Sequence, residues 1–229
     1  KSITHYVEAF GFGQKTLIDL PFERKGSLRG LRIWDEYAEV TVPFGQGISV
    51  TPLQMLNTIN TIATKGVLMQ PYVVRGVLTH GNQEIERFHP QPIRRVMSPE
   101  TATALTEILV QVTEQGSGQN AIVDGYRVAG KTGTSQKAIA NRGYIKGKVI
   151  ASFAGFLPAG APLISIIVVI DEPQGAPLST QVAAPVFQQI ANQTVRYLTS
   201  IVNRVAGAAN VPHSTDHPTS GLIAQSNNH

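Results

Sequence analysis

Two apolar runs, Val149 to Leu157 and Leu163 to Ile170, are separated by only the five residues Pro158 to Pro162. A parallel crossover needs about a dozen residues or more, so two strands joined this closely must pair antiparallel. Tyr126 to Thr134 precedes them as a third strand candidate, and helical patterns flank all three. Thr51-Pro52-Leu53-Gln54 reads as a capping box: the Thr hydroxyl accepts from a first-turn amide, Pro52 fixes φ, and Gln54 reaches back to the cap. Leu53, Leu56, Ile59, Ile62 and Ala63 then recur at helical spacing until Gly66. A second helix is predicted from Ser98 and Pro99, with Ala102, Leu105, Ile108, Leu109 and Val112 on one side and Gly116-Ser117-Gly118 at its end. Ala183, Phe187, Ile190, Ala191, Val195 and Leu198 form the stripe of a closing helix, with Pro185 in its first turn, expected to pack on the sheet.

Elsewhere, Ser2 to Phe10 predicts a short helix stopped by Gly11 and Gly13, and Gln14 to Leu31 an irregular connection. Tyr72 to Leu78 and Glu84 to Phe88 predict a hairpin around His80-Gly81-Asn82-Gln83. Helices with an antiparallel sheet make the chain α+β. Residues 1–200 are expected to form the folded part. Residues 201–229 are expected to form a disordered polar tail, because Asn, Ser, His, Pro and Gly take over from Asn203 onward.

The charge pattern excludes several functions. A net charge of +4 is spread over scattered basic residues, without the clustering and stacking aromatics of a nucleic-acid footprint, so no nucleic-acid partner is expected. The tightest group, four basic residues from Lys137 to Lys148, reads either as a solvated loop or as a mouth that attracts anions. The absence of cysteine excludes a disulfide scaffold, a thiol nucleophile and thiolate metal sites. His213, His217 and His229 sit in the polar tail without the paired spacing that fixes ligands, so no metal site and no cofactor is assigned. Leu163 to Ile170 falls far short of the roughly 20 residues that cross a bilayer. Position 1 is Lys, with no secretory pattern after it, and the chain is expected to begin inside a larger protein.

Gly125-Tyr126-Arg127-Val128-Ala129-Gly130-Lys131-Thr132 matches a Walker A string, and Ile164 to Asp171 imitates the strand that would hold magnesium. A phosphate loop needs a tight nest of amides and a helix starting at the Lys. Tyr126, Arg127, Val128 and Ala129 favour extended chain instead. Gly133, Gly143 and Gly147 then interrupt any following helix, so the nucleotide reading is set aside.

Val128 to Thr134 is better read as a strand that presents chemistry at its exit. By strand alternation Lys131 and Gly133 share one face, and Thr132 and Thr134 the other. Gly133 lets another main chain approach, Lys131 offers positive charge, and the amide and hydroxyl of Thr134 can serve an oxyanion or a carboxylate.

Lys131-Thr132-Gly133 resembles the third motif of the penicillin-binding transpeptidases. Four further segments resemble class B members of that family in the same order: Phe10-Gly11-Phe12-Gly13 with Ile18-Asp19-Leu20-Pro21; Gly45-Gln46-Gly47 leading to Thr51-Pro52-Leu53-Gln54; Ala151 to Phe156 with Pro158; and Val182 to Phe187. The likeness spans Ser2 to about Leu198 and is to the C-terminal part of the transpeptidase domain. It implies a β-lactamase/transpeptidase-like fold, N-terminally incomplete, and serine acyl transfer between peptidoglycan stem peptides through an ester that β-lactams mimic. By that likeness Lys131 and Thr134 are catalytic and Thr132, Gly133 and Thr134 bind substrate, the peptide lying antiparallel along the strand. It further implies work at the outer face of the bacterial cytoplasmic membrane, an anchor outside this chain, and division or elongation proteins as partners.

The departures are as informative. No serine has a lysine three residues later, and the only Ser-x-Asn is Ser226-Asn227-Asn228, on the wrong side of the Lys-Thr-Gly strand. Both missing motifs are expected upstream of Lys1, and without them this chain forms no acyl-enzyme. Ala176 to Gln181 lacks the glycine pair that the resemblance leads one to expect. Ser135 is read as a polar residue at a strand exit, Ser117 as a turn residue, Glu107 and Glu114 as a solvated face, and Asp171-Glu172 as a strand end. Trp34, Tyr37 and Phe44 line substrate approach or pack. A nonenzymatic remnant that binds cell-wall peptides or division proteins is the alternative.

Overall fold

The computed structural model describes residues 3–28, 47–139, 143–175 and 178–209. Trp34, Tyr37 and Phe44, with most of Gly45-Gln46-Gly47 and the tail histidines, lie outside the described residues. The chain divides into two units, Lys1–Gln193 and Thr194–His229. The first carries all the strands; what is described of the second is the continuation of the last helix.

Helix α1 spans Ile3–Ala9, and Gly11 and Gly13 follow it with φ of +84° and +76°. Helix α2, Pro52–Ala63, starts as its capping box requires. The Gln54 amide donates to Thr51 Oγ1 at 3.1 Å, and the Thr51 amide donates to Gln54 Oε1 at 2.9 Å. Gln54 does more than close the box: its Nε2 donates to the carbonyls of Gln14 and Lys25 at 2.6 and 3.0 Å. The irregular connection is thus held to a helix start by one amide that is 2% exposed. Gly66, at φ +86°, reverses the chain where any Cβ would collide with the Met97 carbonyl.

Strand β1, Val67–Gln70, leaves that turn and pairs antiparallel with β4, Gln91–Arg95. Neither strand is legible in the sequence. One abuts a helix stop, and the other carries Pro92, which cannot donate to a ladder; the register slips between Leu68 and Met69, just where Pro92 falls opposite. The predicted hairpin exists but is shorter, β2 Gly76–Leu78 with β3 Glu84–Arg87. Val73 and Val74 stay outside the strand, their amides each donating to the Asp19 carboxylate at 2.8 Å, while the Arg75 carbonyl still accepts from the Phe88 amide at 2.9 Å. Helix α3 covers Pro99–Glu114 with Ser98 as its cap, and a short 3₁₀ turn follows at Gln119–Ala121.

The main sheet holds β5 Ala129–Ile139, β6 Gly143–Leu157 and β7 Ile164–Asp171 in the order β5-β6-β7, all antiparallel. The short Pro158–Pro162 link enforces the pairing of β6 with β7 as expected. Two sequence expectations need correction. Tyr126 is not yet strand, since it closes a turn onto Val123 through Gly125 at φ +81°. Lys137 to Lys148 is not loop throughout: among the described residues β5 continues to Ile139 and β6 begins at Gly143, past an irregularity between Gln136 and Ala138.

Both faces of this sheet are covered. On one, Ile59 and Ile62 of α2 and Ala102 and Val110 of α3 pack with Ala129, Ala154 and Phe156 in a single buried cluster. On the other, the rings of Phe153 and Phe187 meet at 4.6 Å, both fully buried. Phe187 belongs to α4, Ser179–Ala209. Pro185 is therefore inside this helix and not in its first turn: Ser179, tied to β5, starts the helix six residues earlier. The helix runs past residue 200 to Ala209.

Glycine spacing on β5 yields a graded expectation. A Cβ at Gly130 would stand 2.6 Å from the buried Phe153 ring, whereas one at Gly133 would meet only the Ser152 hydroxyl at 2.8 Å. Gly130→Ala is expected to cost about 2 kcal/mol by overpacking, and Gly133→Ala clearly less, because a hydroxyl can rotate away; urea unfolding compares them. Gln54→Ala, which strips three partly buried backbone groups of a partner, should cost about 2 kcal/mol against about 1 for Thr51→Ala in the same assay.

Candidate active site

Within the described sheet β5 is an edge strand, and Lys131, Thr132, Gly133 and Thr134 follow one another along it opposite Ala154, Phe153, Ser152 and Ala151. Thr113 of α3 anchors the approach by donating to the Val128 carbonyl at 2.6 Å. The alternation places Gly130, Thr132 and Thr134 on the face of Phe153 and α4, and Lys131 and Gly133 on the other.

Lys131 is exposed; its Nζ donates to the Thr132 carbonyl at 2.9 Å and lies 3.4 Å from Thr132 Oγ1. Among the described residues it makes no ion pair. Its basic neighbours in sequence are matched: Arg127 forks onto Glu107 at 2.8 Å and reaches Glu114 at 3.4 Å, and Lys137 and Lys148 are paired at the far end of the strand. The Lys131 charge is thus left to act on whatever approaches the edge.

The hydroxyls next to it are committed. Thr132 Oγ1 and Ser117 Oγ lie 2.8 Å apart. Thr134 Oγ1 donates to Ser179 Oγ at 2.9 Å and accepts from the Ser179 amide at 3.3 Å. The Gly133 carbonyl accepts from Ser152 Oγ at 3.2 Å, so the small residue at 133 also makes room for Ser152. Ser135 continues the strand opposite Ile150. The structure therefore brings Ser117 and Ser179 to the predicted strand, which sequence spacing could not reveal: they are 15 and 45 positions from their partners.

The Walker A reading fails geometrically. Gly125 to Thr132 runs from a turn into β5, which continues as strand to Ile139 with no helix at Lys131. Among the described residues no cluster of His, Asp and Glu could hold a metal ion, and no helix is long and apolar enough to cross a membrane. A cavity of about 510 Å³ lined by Asp19, Tyr72, Val77, Glu86 and Phe88 contains none of the Lys-Thr-Gly residues.

Asp171 and Glu172 are a charge clamp. Lys137 Nζ lies 2.7 Å from Asp171 and 2.8 Å from Glu172, and Lys148 Nζ 2.7 Å from Glu172. The basic group read as an anion-attracting mouth thus has two of its four cations neutralised internally. Hydrogen bonds first from Lys137 and then from Lys148 lower the Glu172 carboxyl to about 2.

The chain belongs to the penicillin-binding protein transpeptidase family: the pattern described as "Penicillin binding protein transpeptidase domain" matches residues 1–192. Its relatives are class B penicillin-binding proteins. Stage V sporulation protein D of Bacillus subtilis is 36% identical over 83% of this chain and 30% of its own length. PbpB of Mycolicibacterium smegmatis is 37% identical over 80% of this chain and 30% of its own. Among solved structures, apo penicillin-binding protein 3 of the tuberculosis Mycobacterium superposes with a TM-score of 0.77 at 32% identity, covering 86% of this chain and 46% of that one. The same protein has been solved with aztreonam and with ampicillin. The fold is accordingly the transpeptidase fold. The chain spans about three tenths of the length of the curated relatives and about half that of the solved mycobacterial chain.

The clamp has a pH signature. A carboxylate held below its ordinary value stabilises the fold above that ordinary value, near 4.5, and the contribution is lost as pH falls through the folded value. The Glu172 carboxyl should therefore titrate near 2 by side-chain NMR. In the Lys137→Met, Lys148→Met double variant it should return toward the usual glutamate range.

Proposed function

We propose that this chain supplies the Lys-Thr-Gly strand of a serine-type D,D-transpeptidase that cross-links peptidoglycan stem peptides. The observation that carries the reading is an exposed Lys131, without an ion pair among the described residues, beside Gly133 and Thr134 on an edge strand of a transpeptidase fold. An extended stem peptide fits such an edge by adding its own backbone to the sheet. Its carbonyl then lies against the Thr134 amide, where oxyanion charge develops, and its carboxylate near the Thr134 hydroxyl. Lys131 lends positive charge to the attack and stabilises the deprotonated nucleophile.

The nucleophile and its lysine, with the Ser-x-Asn pair, are supplied by a segment other than this chain. By itself the chain is inactive: strand, cation and oxyanion amide without an activated serine form no ester. β-Lactams, which acylate such serines as stem-peptide mimics, are the second ligand class; no cofactor takes part. The reading places the parent protein at the outer face of the bacterial cytoplasmic membrane, held by an anchor outside these residues.

The test uses the full-length product of the gene that carries this chain. Fluorescent penicillin should label it covalently and leave the 229-residue chain unlabelled. Lys131→Ala should slow labelling by on the order of 100-fold, the scale of losing one preorganised electrostatic contact. A full-length product that takes no label would leave a nonenzymatic binding role; normal labelling with Ala at 131 would remove Lys131 from the mechanism.

A further inference from the structure

We infer that Ser179 is a positioning residue for Thr134, the inner half of a two-hydroxyl relay that recognises the carboxylate of the stem peptide or of a β-lactam. The inference rests on the transpeptidase reading and adds to it a residue outside the Lys-Thr-Gly motif.

A threonine hydroxyl has one proton and two lone pairs. At Thr134 one lone pair takes the Ser179 amide at 3.3 Å and the proton goes to Ser179 Oγ at 2.9 Å. Thr134 thereby caps α4 from a different element. The residue before the helix is Leu178, whose side chain cannot accept a hydrogen bond, and the first amides of a helix need acceptors. In this arrangement Thr134 has no proton to give an incoming anion. The uncommitted proton of the pair is on Ser179, which is only 3% exposed, while Thr134 faces solvent.

An arriving carboxylate reverses the pair without any net proton transfer. The Thr134 O–H rotates outward to the anion, and the Ser179 O–H rotates to donate to Thr134 Oγ1. The ligand then meets a hydroxyl polarised by a second one behind it, and chained hydrogen bonds of this kind strengthen each other. Ser179 is held in place for this. Thr180 Oγ1 donates to the Ser117 carbonyl at 3.0 Å, and Asn120 Nδ2 donates to the Thr180 carbonyl at 2.8 Å. Glycine at position 179, in the stretch where the resemblance suggests a glycine pair, would still donate its amide but could not complete the relay.

The experiment compares acylation of the full-length gene product by benzylpenicillin and by its methyl ester, which lacks the anion. Ser179→Ala is expected to slow acylation by benzylpenicillin about tenfold, the scale of one lost hydrogen bond to a charged group. The effect should fall on apparent affinity rather than on the maximal rate, with the ester rate unchanged. Ser179→Thr should restore the preference for the acid. An unchanged ester rate also shows that the variant is folded; should Ser179→Ala not fold, Ser179→Gly removes the same hydroxyl. Equal discrimination by wild type and variant overturns the relay and leaves the transpeptidase reading intact. Failure of the wild type to react with benzylpenicillin overturns that reading and the relay with it.

Discussion

The Phe153 ring holds the Lys-Thr-Gly strand in place. It sits in the middle of β6, against Phe187 of α4 on one side, and over the bare backbone of Gly130 on the other. That contact fixes the separation of β5 from α4, and β5 carries Lys131, Gly133 and Thr134. A larger residue at 130 or a smaller one at 153 would move the strand relative to the helix start that Thr134 caps. The hydroxyl contacts are short-range and directional, so they tolerate little of that movement.

A second constraint comes from the way charge is distributed. Arg127, Lys137 and Lys148 each find carboxylates, at the start and the far end of the β5–β6 hairpin. These pairs are exposed or only partly buried and contribute little to stability singly. Their effect is on electrostatic contrast: they neutralise the flanks and leave Lys131 as the cation presented along the strand's middle. Glu172 also ties both β5 and β6 to the end of β7, through Lys137 and Lys148.

Much of this architecture was legible in the sequence. The capping box at Thr51, the Ser98-Pro99 helix start and the five-residue Pro158–Pro162 link are local signals, and each acted as its chemistry dictates. The β1–β4 ribbon was not legible, because its strands are short, lie far apart in sequence and include Pro92. Nor was the start of α4, where Ser179 begins a helix that Pro185 alone would place later. The strand Lys131-Thr132-Gly133-Thr134 could be picked out from residue types and alternation. Ser117 and Ser179 could not, since a serine in a turn or at a helix start is unremarkable until its partner is known.

The sequence by itself determined the antiparallel sheet, the helix starts and the strand that bears the cation and hydroxyls, because spacing, capping and loop length act within a few residues. It also determined that no serine here has a lysine three positions on. Only the tertiary structure decided which groups stay free to act. It paired Lys137 and Lys148 with Asp171 and Glu172, left Lys131 without an ion pair among the described residues, and set Thr134 against Ser179. Those outcomes depend on which side chains distant segments bring within about 3 Å of one another, the range over which hydrogen bonds and close ion pairs operate.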